Sequence, residues 1–517
     1  MQATQILKQA VMEQPDRPGT IYRDRRRTWR EIGDRVPRMA AALRQLGVEP
    51  GQCVAALAMN SDRYLELFFA IPWCGAAFAP LNVRWSVPEN SFALRDSGAL
   101  VMFVDDAFLE QAKELQIGSD LQLIYIGEEA TPDGMLSYEQ LIADHQPIQD
   151  ADRKNDDLYI VLYTSGTTLQ SKGVALSHRN VVYVSVCFLA TLPYRDDLTH
   201  MHVGGMFHLS GAGPSWYITL AAGTHVILPK FDPEPVMSAI SQHKVTNVVL
   251  VPTMINMLMN QPNLKDYDLS SVRTCVYGGS PMPESIMKAA MRELPTWGFH
   301  QIYGMTETAG YATAFKWRDH LEAVADHPER MKSAGRAVTG MQVRIARPDG
   351  TEAKPRENGE IQIRGDNVMT RYFNNPAASK DVLKEGWMHS GDAGYVDEDG
   401  FLYVADRIKD MIVTGGENVY SVDVERALYQ HPAVRETAVI GIPSEKWGEA
   451  VHAVVVLKDG HVATGDELIV HCKSLIGGYK CPRSVEFRTE PLPTTPVGKI
   501  RKNVLRDAYW TGLSRKI

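Results

Sequence analysis

Leu158-Tyr159-Ile160-Val161-Leu162 followed by Tyr163-Thr164-Ser165-Gly166-Thr167-Thr168 is the stretch that decides the fold. Five apolar residues bounded by a Ser/Thr/Gly cluster read as a buried strand running into a turn. Gly173-Val174-Ala175-Leu176 reads as a second strand just beyond it. The connection is therefore a hydroxyl-rich loop between strands. Gly166 frees backbone N–H groups, and the hydroxyls of Thr164, Ser165, Thr167 and Thr168 stand beside them, a combination that can wrap phosphate oxygens. Lys172 adds positive charge. The spacing G-x-x-x-x-G-K-[ST] is absent, so this is not a Walker A loop.

Outward from this hairpin, short apolar runs alternate with amphipathic stretches. Val54 to Met59 reads as a buried strand, and Ser61 opens a capped helix. Val248 to Val251, then Pro252-Thr253 and a methionine-rich helix, repeat the theme. Such alternation predicts a large α/β domain. From Ser333 to Tyr403 the texture changes to short strands separated by Gly, Pro, Asn and Asp, which predicts a mainly antiparallel subdomain. Behind Asp406-Arg407 helix and strand return: Val422 to Tyr429 reads as helix, Val434 to Ile440 and Val451 to Leu457 as strands. The expected architecture is a large multi-sheet α/β N-terminal domain over 1–405 with an antiparallel β subdomain, and a small mobile α+β domain over 406–517.

At 517 residues the chain can bury a large core. A hydrophobic content of 44% and a charged content of 22% are those of an ordinary globular protein, and a formal net charge of -8 argues against nucleic-acid binding. Arg23, Arg25, Arg26 and Arg27 read as a solvated turn. None of the six cysteines forms a C-x-x-C pair, so reduced core thiols are expected, not a disulfide frame or zinc site. His200 and His202 lack further residues at metal-ligand spacing. The apolar run Leu67 to Pro80 is too short to span a bilayer. With no signal pattern at the N-terminus and no peroxisomal tripeptide at the C-terminus, a cytoplasmic protein is expected.

Further segments carry chemistry. Tyr303-Gly304-Met305-Thr306-Glu307-Thr308 follows a strand-like run and presents a ring, a hydroxyl and a carboxylate. Tyr277-Gly278-Gly279-Ser280 has glycines that let a flat ligand approach the backbone. Trp387-Met388-His389-Ser390-Gly391-Asp392 offers a carboxylate suited to two ribose hydroxyls. Asp406-Arg407-Ile408-Lys409-Asp410-Met411-Ile412-Val413-Thr414-Gly415-Gly416-Glu417-Asn418 and Pro496-Val497-Gly498-Lys499-Ile500-Arg501 complete the set.

Together these segments resemble the adenylate-forming superfamily, in particular its acyl-CoA ligases of the 4-coumarate-CoA ligase type, nearly end to end. The resemblance implies ATP, Mg²⁺ and coenzyme A as reactants with a small carboxylic acid, a fatty or an aryl acid. It implies that Tyr303 stacks on adenine, that Thr306 meets the α-phosphate and that Glu307 holds Mg²⁺. Thr164 to Thr168 and Lys172 would bind phosphates, with Gly278, Gly279, Ser280 and Gly304 edging the nucleotide. Asp392 would bind ribose, Arg407 ribose or phosphate, and Asp406 would be the hinge. Lys499 would be the cation of the adenylation step, Gly415, Gly416 and Trp447 would line the pantetheine path, and His208 would be a candidate base. Gly211, Ala309 and Gly310 would border the acyl pocket, with Ala212, Gly213 and Tyr311 beside them. A homodimer is within the family's range.

The sequence departs from the family pattern at Leu169, where Gly is usual, and at Ser171, where Pro is usual. Where amino-acid-activating relatives carry an Asp, this chain has His208, which argues against an α-amino acid. The alternatives are an adenylating enzyme that loads a carrier protein, a light-emitting oxidative relative, and a non-catalytic nucleotide binder.

Overall fold

The computed structural model describes residues 1–164, 171–194, 196–280, 282–407, 410–414, 417–444, 446–494 and 500–511, with side chains of 406, 407, 417 and 418 excepted. Two large sheets organise the chain up to residue 372. One has nine strands, in the order Arg336–Ala337, Thr313–Phe315, Gly298–Tyr303, Thr274–Gly278, Asn247–Leu250, Thr199–His202, Thr224–Ile227, Pro18–Tyr22, Arg25–Thr28. It is parallel from Gly298–Tyr303 across to Pro18–Tyr22. The other has eight, and includes Cys53–Leu57, Ala77–Pro80 and the hairpin Leu158–Thr164/Lys172–Ser177.

Helices between the sheets join them into one core. Asp62–Trp73 is apolar nearly all round and buried, as a helix in an interior layer must be. Ser61 caps it by accepting from the Tyr64 N–H, the start read from the sequence; such a cap contributes about 1 kcal/mol. Leu209–Leu220 is the second interior helix. Its Trp216 packs edge-on to Phe68 of the first helix and to Tyr159 of the hairpin, with centroids 6.3 and 6.0 Å apart.

Gln342–Ala346, Gly359–Arg364, Trp387–Val396 and Leu402–Arg407 form an antiparallel sheet, as the punctuated sequence predicts. Two short strands from the same region leave it. Arg336–Ala337 extends the nine-stranded sheet, and Arg371–Tyr372 pairs with Lys172–Ser177. Beyond residue 411 a separate five-stranded sheet carries Val434–Ser444 and Gly448–Leu457, flanked by Ser421–Tyr429 and Gly465–Leu475.

The arginine cluster is not a solvated turn. Arg25 and Arg27 lie on the strand Arg25–Thr28, Arg27 is buried, and both bond the buried Asp62. Burial would raise the Asp62 carboxyl, but Arg25, Arg27 and Arg63 overcome that and hold it below its ordinary value. Alternating charge on a strand, with every second arginine inward, was not distinguishable from a turn without knowing Asp62 lay opposite. All six cysteines are buried free thiols. Among the described residues, no group of three or more His, Cys, Asp or Glu side chains is placed to hold a metal, and no helix is long and apolar enough to cross a membrane. His200 bonds Asn247 at 2.6 Å and His202 bonds His225 at 2.8 Å.

Candidate active site

The site follows from strand order. Thr199–His202 has Thr224–Ile227 on one side and Asn247–Leu250 on the other. The chain thus continues first one way and then the other, and the crevice beyond the carboxyl end of such a strand is where open α/β sheets bind ligands. The segment leaving that end carries Met206, Phe207 and His208. The neighbouring carboxyl ends carry Gly278-Gly279-Ser280 and Tyr303-Gly304, so one edge gathers three of the sequence-derived segments.

The loop after Gly298–Tyr303 is closed tightly. Thr306–Thr308 makes a single 3-10 turn, and Ala309 and Gly310 follow at φ 49° and 84°, turning the chain back to Tyr311. A Cβ on Gly304 would lie 2.6 Å from the backbone of Gly310 and Tyr311, so only glycine lets the loop meet its own base. Gly278 has a packing reason of the same kind, Ile302 O at 2.5 Å, whereas a Cβ on Gly279 would meet only Val251, at 4.0 Å. Asn367, fully buried, donates to Thr308 O and Tyr311 O at 2.7 Å each and fixes the loop from outside.

Around this loop the polar groups converge. The Tyr303 hydroxyl donates to Asp392 Oδ2 at 2.8 Å, joining the proposed adenine and ribose residues. The Tyr372 hydroxyl donates to Glu307 Oε1 at 2.7 Å. Lys172, paired in register with Thr164 at the mouth of the hairpin, lies 4.9 Å over the Tyr372 ring. A cleft of about 320 Å³ is lined by Met305, Glu307, Tyr372, His389, Ser390 and Gly391. Its wall thus carries the Glu307 carboxylate and Tyr372, whose ring lies under Lys172.

His208 is the N-cap of Leu209–Leu220. Its Nδ1 accepts from the Ser210 N–H at 3.3 Å, so in the neutral ring Nε2 carries the hydrogen. In that tautomer Nε2 is a hydrogen-bond donor. A Cβ on Gly211 would lie 2.6 Å from Gly204 O and Gly205 O, so its missing side chain lets the helix start approach the preceding segment. Gly213 is half-buried on a helix otherwise almost wholly covered, and a Cβ there would meet only the Tyr217 ring, at 3.9 Å. Gly310 lies beside Leu209, and Ala309 is buried.

The model of the AMP-binding enzyme family matches residues 7–373, and that of the AMP-binding enzyme C-terminal domain matches residues 423–499. The chain belongs to the AMP-binding enzyme family. It is 41% identical over 484 residues to a feruloyl-CoA synthase of Amycolatopsis sp, covering 93% of this chain and 94% of that one. It is 36% identical over 499 residues to an indoleacetate–CoA ligase of Aromatoleum aromaticum, covering 95% of each. Among solved structures it resembles o-succinylbenzoate CoA synthetase from Bacillus subtilis in complex with its acyl-adenylate intermediate, with a TM-score of 0.85, 30% identity, and 97% and 98% of the two chains covered.

This AMP-binding enzyme is an ATP-dependent acyl-CoA ligase: it activates a carboxylic acid as acyl-AMP and passes the acyl group to CoA, using ATP, Mg²⁺ and CoA. Loading of a carrier protein has less support. The residues present fit Mg²⁺, which takes one or two protein carboxylates and completes its shell with water and substrate phosphates; Glu307 on the cleft wall is such a carboxylate.

Ser165, Gly166, Thr167, Thr168, Gly415, Gly416 and Lys499 lie outside the described residues, as do Leu169 and the side chains of Asp406 and Arg407. The Arg407 backbone pairs in register with Asp392. Trp447 is exposed on the turn before Gly448–Leu457, with Lys446 Nζ 4.8 Å and Arg483 Cζ 5.8 Å from its ring. Sequence reading missed Tyr372 and Asn367. Neither lies in a motif: Tyr372 is brought in by the pairing of Arg371–Tyr372 with the hairpin strand, and Asn367 by its bonds to the loop.

Proposed function

We propose that this ligase acts on an aryl acid, and that its residues divide the work as follows. Tyr303 stacks on adenine, Asp392 holds the ribose hydroxyls, and Arg407 contacts ribose or phosphate. Thr164 to Thr168, Lys172 and Thr306 hold the phosphates, and Glu307 would hold Mg²⁺, which when bound neutralises phosphate charge. The acid lies along Leu209–Leu220, its carboxylate near the His208 Nε2–H.

A carboxylate oxygen attacks the α-phosphorus as the bond to pyrophosphate breaks. Negative charge gathers there, and Lys499 is the fixed cation that meets it. In the second step the CoA sulfur attacks the acyl carbonyl, its proton leaves to solvent, and AMP departs. Gly415, Gly416 and Trp447 line the path of the thiol. The two steps need different faces of the small domain, so rotation of 406–517 on 1–405 about Asp406 exchanges them. What supports a hinge there is the sheet order: Leu402–Arg407 ends the antiparallel sheet, and the next sheet is built only from residues beyond 411.

The observation that carries the aryl acid is the aromatic wall behind Gly213. The Phe188 ring stacks on Tyr217, with centroids 4.5 Å apart and planes within 4°, and lies 4.1 Å from Tyr311. Flat rings pack on flat rings. The names of two relatives, feruloyl-CoA synthase and indoleacetate–CoA ligase, support the same class. AMP release from ATP and Mg²⁺ against fatty, cinnamic, benzoic and amino acids, with and without CoA, tests it. CoA-dependent release with aryl acids alone is expected; release only with fatty acids would reverse the assignment. A cytoplasmic location and a homodimer complete the proposal. The buried free thiols support the first, and sedimentation of the purified protein tests the second.

A further inference from the structure

Asn60 stands at the head of the first interior helix, beside its cap Ser61, and just past the strand Cys53–Leu57 of the eight-stranded sheet. It is 3% exposed. Its side chain bonds across the core to the other sheet. Nδ2 donates to Gly204 O at 3.0 Å and to Leu228 O at 3.2 Å, and Oδ1 accepts from the Met206 N–H at 2.8 Å. Carbonyls accept and an N–H donates, so these partners fix which way the amide points and use both of its hydrogens. Gly204 to Met206 leave the carboxyl end of Thr199–His202, and Leu228 leaves that of Thr224–Ile227. One buried side chain thus pins two neighbouring strand ends at the crevice. The residue before it is held as well: the Met59 N–H donates to Asp105 Oδ2 at 2.7 Å.

The pinned segment leads directly into the cap of the second interior helix. The His208 N–H donates to Gly205 O at 3.0 Å, and the Ala212 N–H to His208 O at 2.8 Å. Gly211 lies so near Gly204 O and Gly205 O that a Cβ would meet both at 2.6 Å, and a Cβ on Gly204 would lie 3.0 Å from Ser210 Oγ. Backbone rests on backbone here, with no long side chain between to absorb a shift. Close packing transmits displacement, so a movement of Gly204 carries His208 and the first turn of Leu209–Leu220 with it.

We propose that Asn60 is a positioning residue for the acid: it fixes Gly204 to Met206 and, through them, the place where His208 and the first turn of Leu209–Leu220 meet the carboxylate. This rests on the reading that the acid lies along that helix with its carboxylate at His208. Misplacing a group that meets a substrate by about 1 Å can cost about 100-fold. The nucleotide residues are held separately, Tyr303 to Asp392 and Glu307 to Tyr372. Loosening Asn60 therefore falls on the acid and spares ATP.

The test uses the full-length enzyme and CoA-dependent AMP release, with cinnamate, benzoate or a fatty acid as the acid panel selects. Asn60→Asp keeps an acceptor for the Met206 N–H, loses both donors and sets a carboxylate against two carbonyls. Asn60→Ser keeps a single hydroxyl. His208→Asn keeps an acceptor at the helix cap and removes the ring. The KM for the acid should rise by about tenfold or more in Asn60→Asp and in Asn60→Ser, with the KM for ATP within about twofold of wild type. His208→Asn should raise the acid KM as well. A wild-type acid KM in the Asn60 variants, or acid and ATP KM raised alike, would overturn the proposal, and either variant decides if the other fails to fold. A lower kcat at unchanged acid KM, the mark of a merely weakened fold, would overturn it too. If His208→Asn raises the acid KM and the Asn60 variants do not, the positioning role fails and the placing of the acid stands. If none of the three moves it, both fail together.

Discussion

Tyr372 donates a 2.7 Å hydrogen bond to Glu307 although 65 residues separate them, and Lys172 sits over the same tyrosine ring. One side chain thus holds the proposed metal carboxylate and lies under the lysine proposed to meet the phosphates. A hydrogen bond to a charged group contributes about 1.5–3 kcal/mol. Tyr372→Phe should therefore lower acid-dependent pyrophosphate exchange by about tenfold or more and raise the Mg²⁺ concentration needed for half-maximal rate. Unchanged exchange at every Mg²⁺ concentration would remove Tyr372 from the site.

Gly304→Ala is expected to damage the loop more than any polar substitution there. The added methyl would lie 2.6 Å from the Gly310–Tyr311 peptide, with no flexible side chain to push aside. Overpacking of this kind costs about 1–3 kcal/mol. Both half-reactions should fall together, because Thr306 and Glu307 move with the loop. A variant with wild-type exchange and an unchanged melting temperature would show that the loop shifts freely.

Much of this site was legible in the sequence because it is written in contiguous motifs. The hairpin and the Tyr303 to Thr308 segment each announce a strand running into a turn rich in Gly and hydroxyls, and their strands stand where expected, whereas Asp392 lies within the strand Trp387–Val396. What was not legible depends on pairing between distant segments. Nothing local to Arg371–Tyr372 says that it joins the hairpin, so Tyr372 reads as an ordinary strand residue. Nor does the sequence show that Gly211 and Gly278 have packing reasons as well, since their missing side chains leave room for contacts within the protein.

Acid should loosen the N-terminus. His178 Nδ1 accepts from the Ala3 N–H at 3.1 Å, which requires that nitrogen to be unprotonated. Burial, resisted by Asp157 and Asp150, lowers its pKa to about 4. A base whose folded pKa lies below the unfolded value of about 6.5 contributes full stability above pH 6.5. That contribution is lost as pH falls towards 4, because the unfolded chain takes the proton first. The slope from this one group is at most about 1.4 kcal/mol per pH unit. In urea melts between pH 7 and 4, His178→Gln should lose stability less steeply than wild type; parallel curves would show that His178 does not report the change.

The segment bearing Lys499 is closed at its base. Thr494 bridges Ile500, the Arg501 N–H donates to Pro493 O at 2.7 Å, and Lys502 pairs with Glu425 at 2.8 Å, both largely buried. If Lys499 is the adenylation cation, Lys499→Ala should cut acyl-AMP formation by about 100- to 1000-fold and leave conversion of supplied acyl-AMP to thioester nearly intact. Lys502→Ala should give a weaker loss in the same half-reaction, because it frees the base without removing the charge, and should lower stability by about 1–3 kcal/mol by leaving Glu425 unpaired from Lys502. Rapid-quench measurement of each half-reaction separates the two variants. Equal loss in both halves for Lys499→Ala would count against rotation between two working faces. A Lys502→Ala enzyme that melts early yet adenylates at the wild-type rate would show that the pair holds the small domain together without positioning Lys499.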